Sequence, residues 1–174
     1  MYSDPNSVKR ISSLGAGPIG GGWTAHFLAR GYDVTAYLHD KSETSSFMSI
    51  LKTAWVSLAE LGLAPSASMD RLRIVTDLEE ALDGADFVQE SGPERLEVKQ
   101  KLYSEMGKIL PPSIIIGSST SGLMMSDIQS DCSTPERTVI GHPFNPPYLL
   151  PLVEIVGGKR TAPEAVAWAG EFYR

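Results

Sequence analysis

The sequence predicts an α/β chain: a doubly wound, mostly parallel sheet with helices on both faces. Three observations carry this. Short runs rich in aliphatic and β-branched residues alternate with longer stretches whose apolar residues recur at three-and-four spacing. Glycine or proline punctuates most changes from one to the other. The glycine-dense stretch "GAGPIGGG", residues 15–22, falls where the first apolar run meets the first helical one. At 174 residues the chain is long enough for one domain with a real core.

Taken in order, residues 8–14 read as the first strand, although Lys9, Arg10, Ser12 and Ser13 weaken it. Residues 18–30 read as a helix, with Ile19, Trp23, Phe27 and Arg30 at helical spacing and Gly31 as its stop. Residues 34–38 form the second strand. Residues 43–61 form a longer helix whose apolar stripe is Phe47, Ile50, Leu51, Ala54, Leu58 and Leu61, stopped by Gly62. A strand at 71–75, a small helix at 77–82 and a strand at 85–89 follow. Pro93 opens a helix to about residue 110, closed by Pro111 and Pro112. Residues 114–117 are short and apolar on all sides, as a buried strand requires. A brief helix at 121–130, strands at 138–141 and 152–156, and a helix opened by Pro163 and cut off by the chain end complete the reading. In such a fold ligands sit beyond the carboxyl ends of the strands. Residues 15–20, 38–40, 90–99, 118–122 and 142–145 should therefore share one edge.

Gly15-Ala16-Gly17-Pro18-Ile19-Gly20 is a G-x-G-x-x-G motif between strand and helix, the context that makes it a Rossmann-type dinucleotide cradle. Gly15 permits the tight turn, Gly17 lets a pyrophosphate approach, and Gly20 lets helix and sheet pack closely. The helix amino end, with Pro18 and Ile19 in its first turn, presents N–H groups and partial positive charge to the phosphates. Gly21 and Gly22 have no evident part in this and are expected to relieve crowding against the sheet. An NAD ribose is usually held by an acid about 20 residues on. Leu38 stands there, in "VTAYLHD", with Asp40 two residues later. Asp40 can take over the ribose if the turn is longer. Alternatively His39 and Lys41 face a 2′-phosphate, which would mean NADP.

Composition bounds the partners. The net charge of −6 argues against nucleic acid and anionic membrane as partners. No apolar run approaches the roughly 20 residues of a membrane span, and "MYSDPNSVKR" lacks the apolar core of a signal peptide. The single cysteine, Cys132, in the polar stretch "SDCSTPER", closes no internal disulfide; the cytoplasm is the expected compartment. Cys132 itself is read as incidental.

"ESGPERLEVKQKL" (90–102), "SSTSGL" (118–123) and "GHPFNPPYLLPLVEIV" (141–156) follow the glycine motif in that order. Together they resemble the NAD-binding domain of the 3-hydroxyacyl-CoA dehydrogenase family, over nearly the whole chain. Two of the stretches are more similar to the branch holding carnitine 3-dehydrogenase and L-gulonate 3-dehydrogenase (lambda-crystallin). The resemblance implies that His142 is the catalytic histidine, Glu154 the glutamate paired with it, and Ser121 a serine near the substrate hydroxyl. It implies that Glu94, Lys99 and Asn145 hold the nicotinamide half of NAD, and that no metal is needed. It implies that residues 1–174 are a dinucleotide-binding domain, which a helical substrate and dimerisation domain absent from this chain would follow in a homodimeric parent.

The chemistry is sound from first principles. Oxidising a secondary alcohol removes a hydroxyl proton as hydride leaves carbon. An imidazole, titrating ordinarily near 6.5, accepts that proton near neutral pH. A carboxylate on its other nitrogen fixes the tautomer. Glu154 can do so only if residues 146–151, with three prolines, return its strand beside His142. The expected substrate is a small 3-hydroxy acid, carnitine- or gulonate-like. The alternatives are a 3-hydroxyacyl-CoA thioester and an NAD-binding module without turnover. A decarboxylating hydroxyacid dehydrogenase would require a catalytic lysine elsewhere. His26 and His39 read as ordinary core or surface residues, Ser121 also as a helix cap, and Glu94 and Lys99 also as solvated positions five apart on one helix.

Overall fold

The structure, a computed structural model, describes residues 2–174. Seven strands form one sheet: β1 (Arg10–Leu14), β2 (Asp33–Tyr37), β3 (Leu72–Val75), β4 (Phe87–Glu90), β5 (Ile115–Ser118), β6 (Thr138–Pro143) and β7 (Val153–Gly157). Their order is β3-β2-β1-β4-β5-β6-β7, and only the β6–β7 pair is antiparallel. The winding reverses at β1, so a crevice opens beyond Leu14 between β1 and β4, the usual ligand position of such sheets.

Six helices cover the faces: α1 (Pro18–Ala29), α2 (Thr44–Leu61), α3 (Leu78–Leu82), α4 (Leu96–Ile109), α5 (Met125–Ile128) and α6 (Pro163–Phe172). Strand alternation divides the core. Ile11, Phe87 and Ile115 pack with Trp23, Phe27, Leu28, Phe47, Leu51 and Trp168 under α1, α2 and α6. Leu14, Val88 and Ile116 pack with Leu82, Tyr103, Met106 and Ile128 under α3, α4 and α5. The two serines that weaken the first strand as a sequence pattern serve these faces separately. Ser13 accepts a 2.9 Å hydrogen bond from Thr24 of α1, and Ser12 donates to the Ala81 carbonyl of α3.

Some expected boundaries move. Pro93 does not open the fourth helix: α4 begins at Leu96, because residues 91–95 first cross the ligand edge. The brief helix shrinks to α5 and starts at Met125, so Ser121 does not cap it. α6 runs over Pro163–Phe172, and the hydroxyl of Tyr173 just beyond it donates to Gln89. Cys132 is no surface bystander. Its side chain turns inward onto α4 and is only 3% exposed, while its polar neighbours Asp131 and Ser130 stay in solvent. Arg137, fully buried, donates to the carbonyls of Met106, Leu110, Pro111 and Ile114 and so closes the carboxyl end of α4.

His26 sits on α1 with its Nδ1 buried and without a hydrogen-bond partner among the described residues. Burial, helped by the Arg30 charge, pushes the imidazole down to about 4. A histidine in the unfolded chain titrates near 6.5. Protonation therefore favours unfolding: the neutral ring's contribution is complete above about pH 6.5 and is lost as pH falls toward 4, by roughly 3 kcal/mol. His26→Phe removes that proton. In urea titrations the variant should gain roughly 3 kcal/mol on wild type between neutrality and about pH 4. An unchanged difference would mean that the ring is freely solvated.

Candidate active site

Gly15 adopts φ +127°, a conformation that side chains rarely take, and a Cβ there would strike the Ser91 carbonyl of the next crossover. A Cβ on Gly20 would strike the Gly15 carbonyl, so the turn and the first helical turn fit only as glycines. Gly17 differs. Nothing lies within 4 Å of the position its Cβ would take, and it is the N-cap of α1 with no side chain closing the helix end. This open notch at a helix amino end fits a diphosphate. Gly21 and Gly22 clear space for neighbours other than the sheet, contrary to expectation: their Cβ atoms would lie 2.7 Å from Ile50 of α2 and from Pro147 of the loop after β6.

Leu38 cannot serve a ribose because it is fully buried in the core. Asp40 is exposed and N-caps the turn Lys41–Glu43 in a capping box. Hydrogen bonds from Ser42 hold its carboxyl below the usual range. It is thus an ionised acceptor just past the second strand, with His39 and Lys41 beside it on the surface.

At the far side of the crevice the β6–β7 hairpin sets His142 directly opposite Glu154. His142 Nδ1 lies 2.9 Å from Glu154 Oε2. An ionised carboxylate only accepts hydrogen bonds, so the pair favours the proton on Nδ1 and leaves the Nε2 lone pair for another partner. The imidazole is 26% exposed, enough to be reached. Asn145 stands exposed three residues further on, where the hairpin loop leaves β6.

Between cradle and hairpin lies a polar network that the sequence reading only partly anticipates. Glu94 and Lys99 do not share a solvated helix. Glu94 precedes α4, and Lys99 lies inside it with its side chain 2% exposed. Lys99 Nζ donates to Glu90 Oε1 at 2.6 Å, and the same oxygen accepts from Gly92 N–H at 2.6 Å. Glu90 Oε2 accepts from Ser118 Oγ at 2.6 Å, so this fully buried carboxylate is satisfied on both oxygens. Glu94 reaches across to the next crossover. Its Oε1 accepts from Thr120 Oγ1 at 2.6 Å and from the N–H groups of Ser121 and Gly122 at 3.0 Å each. Its Oε2 lies 3.7 Å from Lys99 Nζ. Burial opposes its charge, but these hydrogen bonds and the Lys99 cation prevail and hold the carboxyl below its ordinary value. Glu94 thereby fixes the backbone of Ser121, whose side chain is exposed at the edge.

Glu90 and Ser118 escaped the sequence reading as individual residues. The available signal was an acid closing a strand at the ligand edge, followed at once by Ser-Gly-Pro. Burial of a carboxylate there demands a cation, and Lys99, nine residues on, is that cation.

The chain as a whole has known counterparts. Residues 10–174 match the family described as 3-hydroxyacyl-CoA dehydrogenase, NAD binding domain. The chain is 52% identical over 171 residues to the L-carnitine dehydrogenase of Streptomyces coelicolor, covering 98% of this chain and 54% of that protein. It superposes on 3-hydroxybutyryl-CoA dehydrogenase from Escherichia coli with a TM-score of 0.87 and 30% identity, over 96% of this chain and 36% of the other. An NAD+-dependent dismutase, 5-formyl-3-hydroxy-2-methylpyridine 4-carboxylic acid 5-dehydrogenase, gives 0.88 and 32%, over 96% and 54%. The chain spans about half the length of the curated relatives it matches.

Proposed function

The chain belongs to the 3-hydroxyacyl-CoA dehydrogenase family as its NAD-binding domain, and from that premise we propose that it carries the proton-transfer and cofactor half of an NAD-dependent oxidation of a small 3-hydroxy acid, carnitine first. The observation that carries this reading is the His142–Glu154 pair, 2.9 Å apart on the ligand edge of a dinucleotide fold. The identity of 52% to an L-carnitine dehydrogenase supports carnitine over a thioester.

In this reading Gly17 and the amino end of α1 would hold the diphosphate of NAD, and Asp40 would accept from the adenosine ribose. Glu94, held by the 120–122 backbone and Lys99, and Asn145 would hold the nicotinamide half, and Ser121 would lie near the substrate hydroxyl. NAD supplies the hydride acceptor. As the C3–H bond gives up its electron pair, the C3 hydroxyl proton passes to His142 Nε2, leaving a C3 carbonyl. Glu154 stabilises the imidazolium that results. The substrate pocket would then be completed by groups outside this domain, and the apolar side chains Leu149, Leu150 and Leu152 exposed along the hairpin are where a second domain would close.

The test supplies L-carnitine, L-gulonate and L-3-hydroxybutyryl-CoA with NAD and follows absorbance of reduced nicotinamide. Oxidation of carnitine in preference to the others is expected. Oxidation of the thioester alone would replace the small-acid assignment with the reading that the Escherichia coli neighbour favours. No oxidation of any substrate, with NAD bound, would leave a binding module.

A further inference from the structure

Three consecutive glycines stand in the first two turns of α1, where each costs up to about 1 kcal/mol relative to alanine. Gly20 is explained by the turn and Gly21 by α2. Gly22 is explained by neither. An alanine Cβ there would lie 2.7 Å from Pro147 Cγ, 2.9 Å from Pro147 Cδ and 3.4 Å from Tyr148 Cδ1. A proline ring has no rotamer by which to retreat, so the loop itself would have to lift.

That loop joins the two partners of the site. It leaves β6 after His142 and Pro143 and enters β7 just before Glu154. It is tied within itself: Leu149 and Leu150 N–H donate to the Pro146 carbonyl, and Phe144 N–H donates to the Leu152 carbonyl. Pro147 is buried, and Tyr148 packs against the core under α1. The loop is therefore tied as a unit, and Pro147 and Tyr148 rest on the bare face of Gly22, five residues along the same helix from the diphosphate notch at Gly17.

We propose that Gly22 is a positioning residue: its missing side chain seats the 144–152 loop on the cofactor helix and so registers His142 and Asn145 to the nicotinamide. This rests on the oxidoreductase reading above. One rigid helix then holds both the diphosphate and the proton acceptor, and their separation does not depend on loop flexibility.

The experiment compares Gly22→Ala, Pro147→Ala and the double variant with wild type in three measurements: amide hydrogen exchange, calorimetric NAD binding, and kcat and KM with L-carnitine. In Gly22→Ala the amides of Phe144, Leu149, Leu150 and Leu152 should exchange at least about tenfold faster, while Ile11 and Val88 of the central strands stay within about twofold. NAD affinity should stay within about threefold, and kcat should fall about 10- to 100-fold, the scale of a misplacement near 1 Å. With the ring removed, alanine at position 22 should cost nothing: the double variant should match Pro147→Ala in both exchange and kcat. Unchanged loop exchange in Gly22→Ala, or a double variant no better than Gly22→Ala, overturns the proposal. If Gly22→Ala does not fold, the double variant must; its failure to fold overturns the proposal too. A wild-type protein that oxidises no 3-hydroxy acid defeats the functional reading instead, while the exchange data still decide the seat.

Discussion

His142→Ala is expected to lower kcat for 3-hydroxy acid oxidation about 100- to 10,000-fold, the usual range for a general base, with NAD affinity unchanged. The separation follows from position. His142 lies at the end of β6, while the glycine cradle lies at the end of β1, and β4 and β5 intervene. Glu154→Gln should be milder and different in kind. It keeps a hydrogen-bond acceptor opposite Nδ1 but removes the negative charge that favours the imidazolium. Steady-state kinetics with calorimetry of NAD binding checks both. An equal loss of NAD affinity in His142→Ala would show that the ring is part of the cofactor site. A fall in kcat of less than about threefold would remove it from the chemistry.

Lys99→Met is expected to cost about 3–5 kcal/mol of folding stability, the penalty for stranding a buried charge by removing its partner. Glu90 is fully buried, and Lys99 is its only cationic partner among the described residues. Without the amine, Glu90 retains only the Gly92 N–H and Ser118 hydroxyl as donors. Part of the loss should return in Lys99→Met/Glu90→Gln, which removes the second charge and leaves a group able to meet Ser118 and Gly92. Glu94 loses its cation in both variants, so NAD affinity should fall in both, even where stability recovers. Urea unfolding and calorimetry separate these effects. A loss below about 1 kcal/mol in Lys99→Met would contradict the burial of the pair.

Much of the site was legible because its signals are local. A glycine motif between strand and helix announces a dinucleotide cradle, and alternating elements place every strand end on one edge. The His142–Glu154 contact was legible only as a condition, since two residues twelve apart meet only if the intervening loop returns in register. The loop does so, and the cross-strand partners are these two. What escaped depends on contacts between distant elements. Nothing near Gly22 in sequence names Pro147. The alternative reading of Lys99 as solvated rested on placing it five residues from Glu94 on one helix opened by Pro93. With α4 beginning at Leu96, Glu94 is freed to cross to residues 120–122 and Lys99 turns inward. Cys132 does lie in a loop of polar residues, but its own side chain is the one that α4 covers.

The central claim is tested most directly with carnitine carrying deuterium at C3. Mass spectrometry of the reduced cofactor should find the deuterium on nicotinamide with the wild-type protein. It should find essentially none over the same interval with His142→Ala, although NAD remains bound. Unlabelled reduced cofactor, or label transferred by His142→Ala at the wild-type rate, would contradict the account.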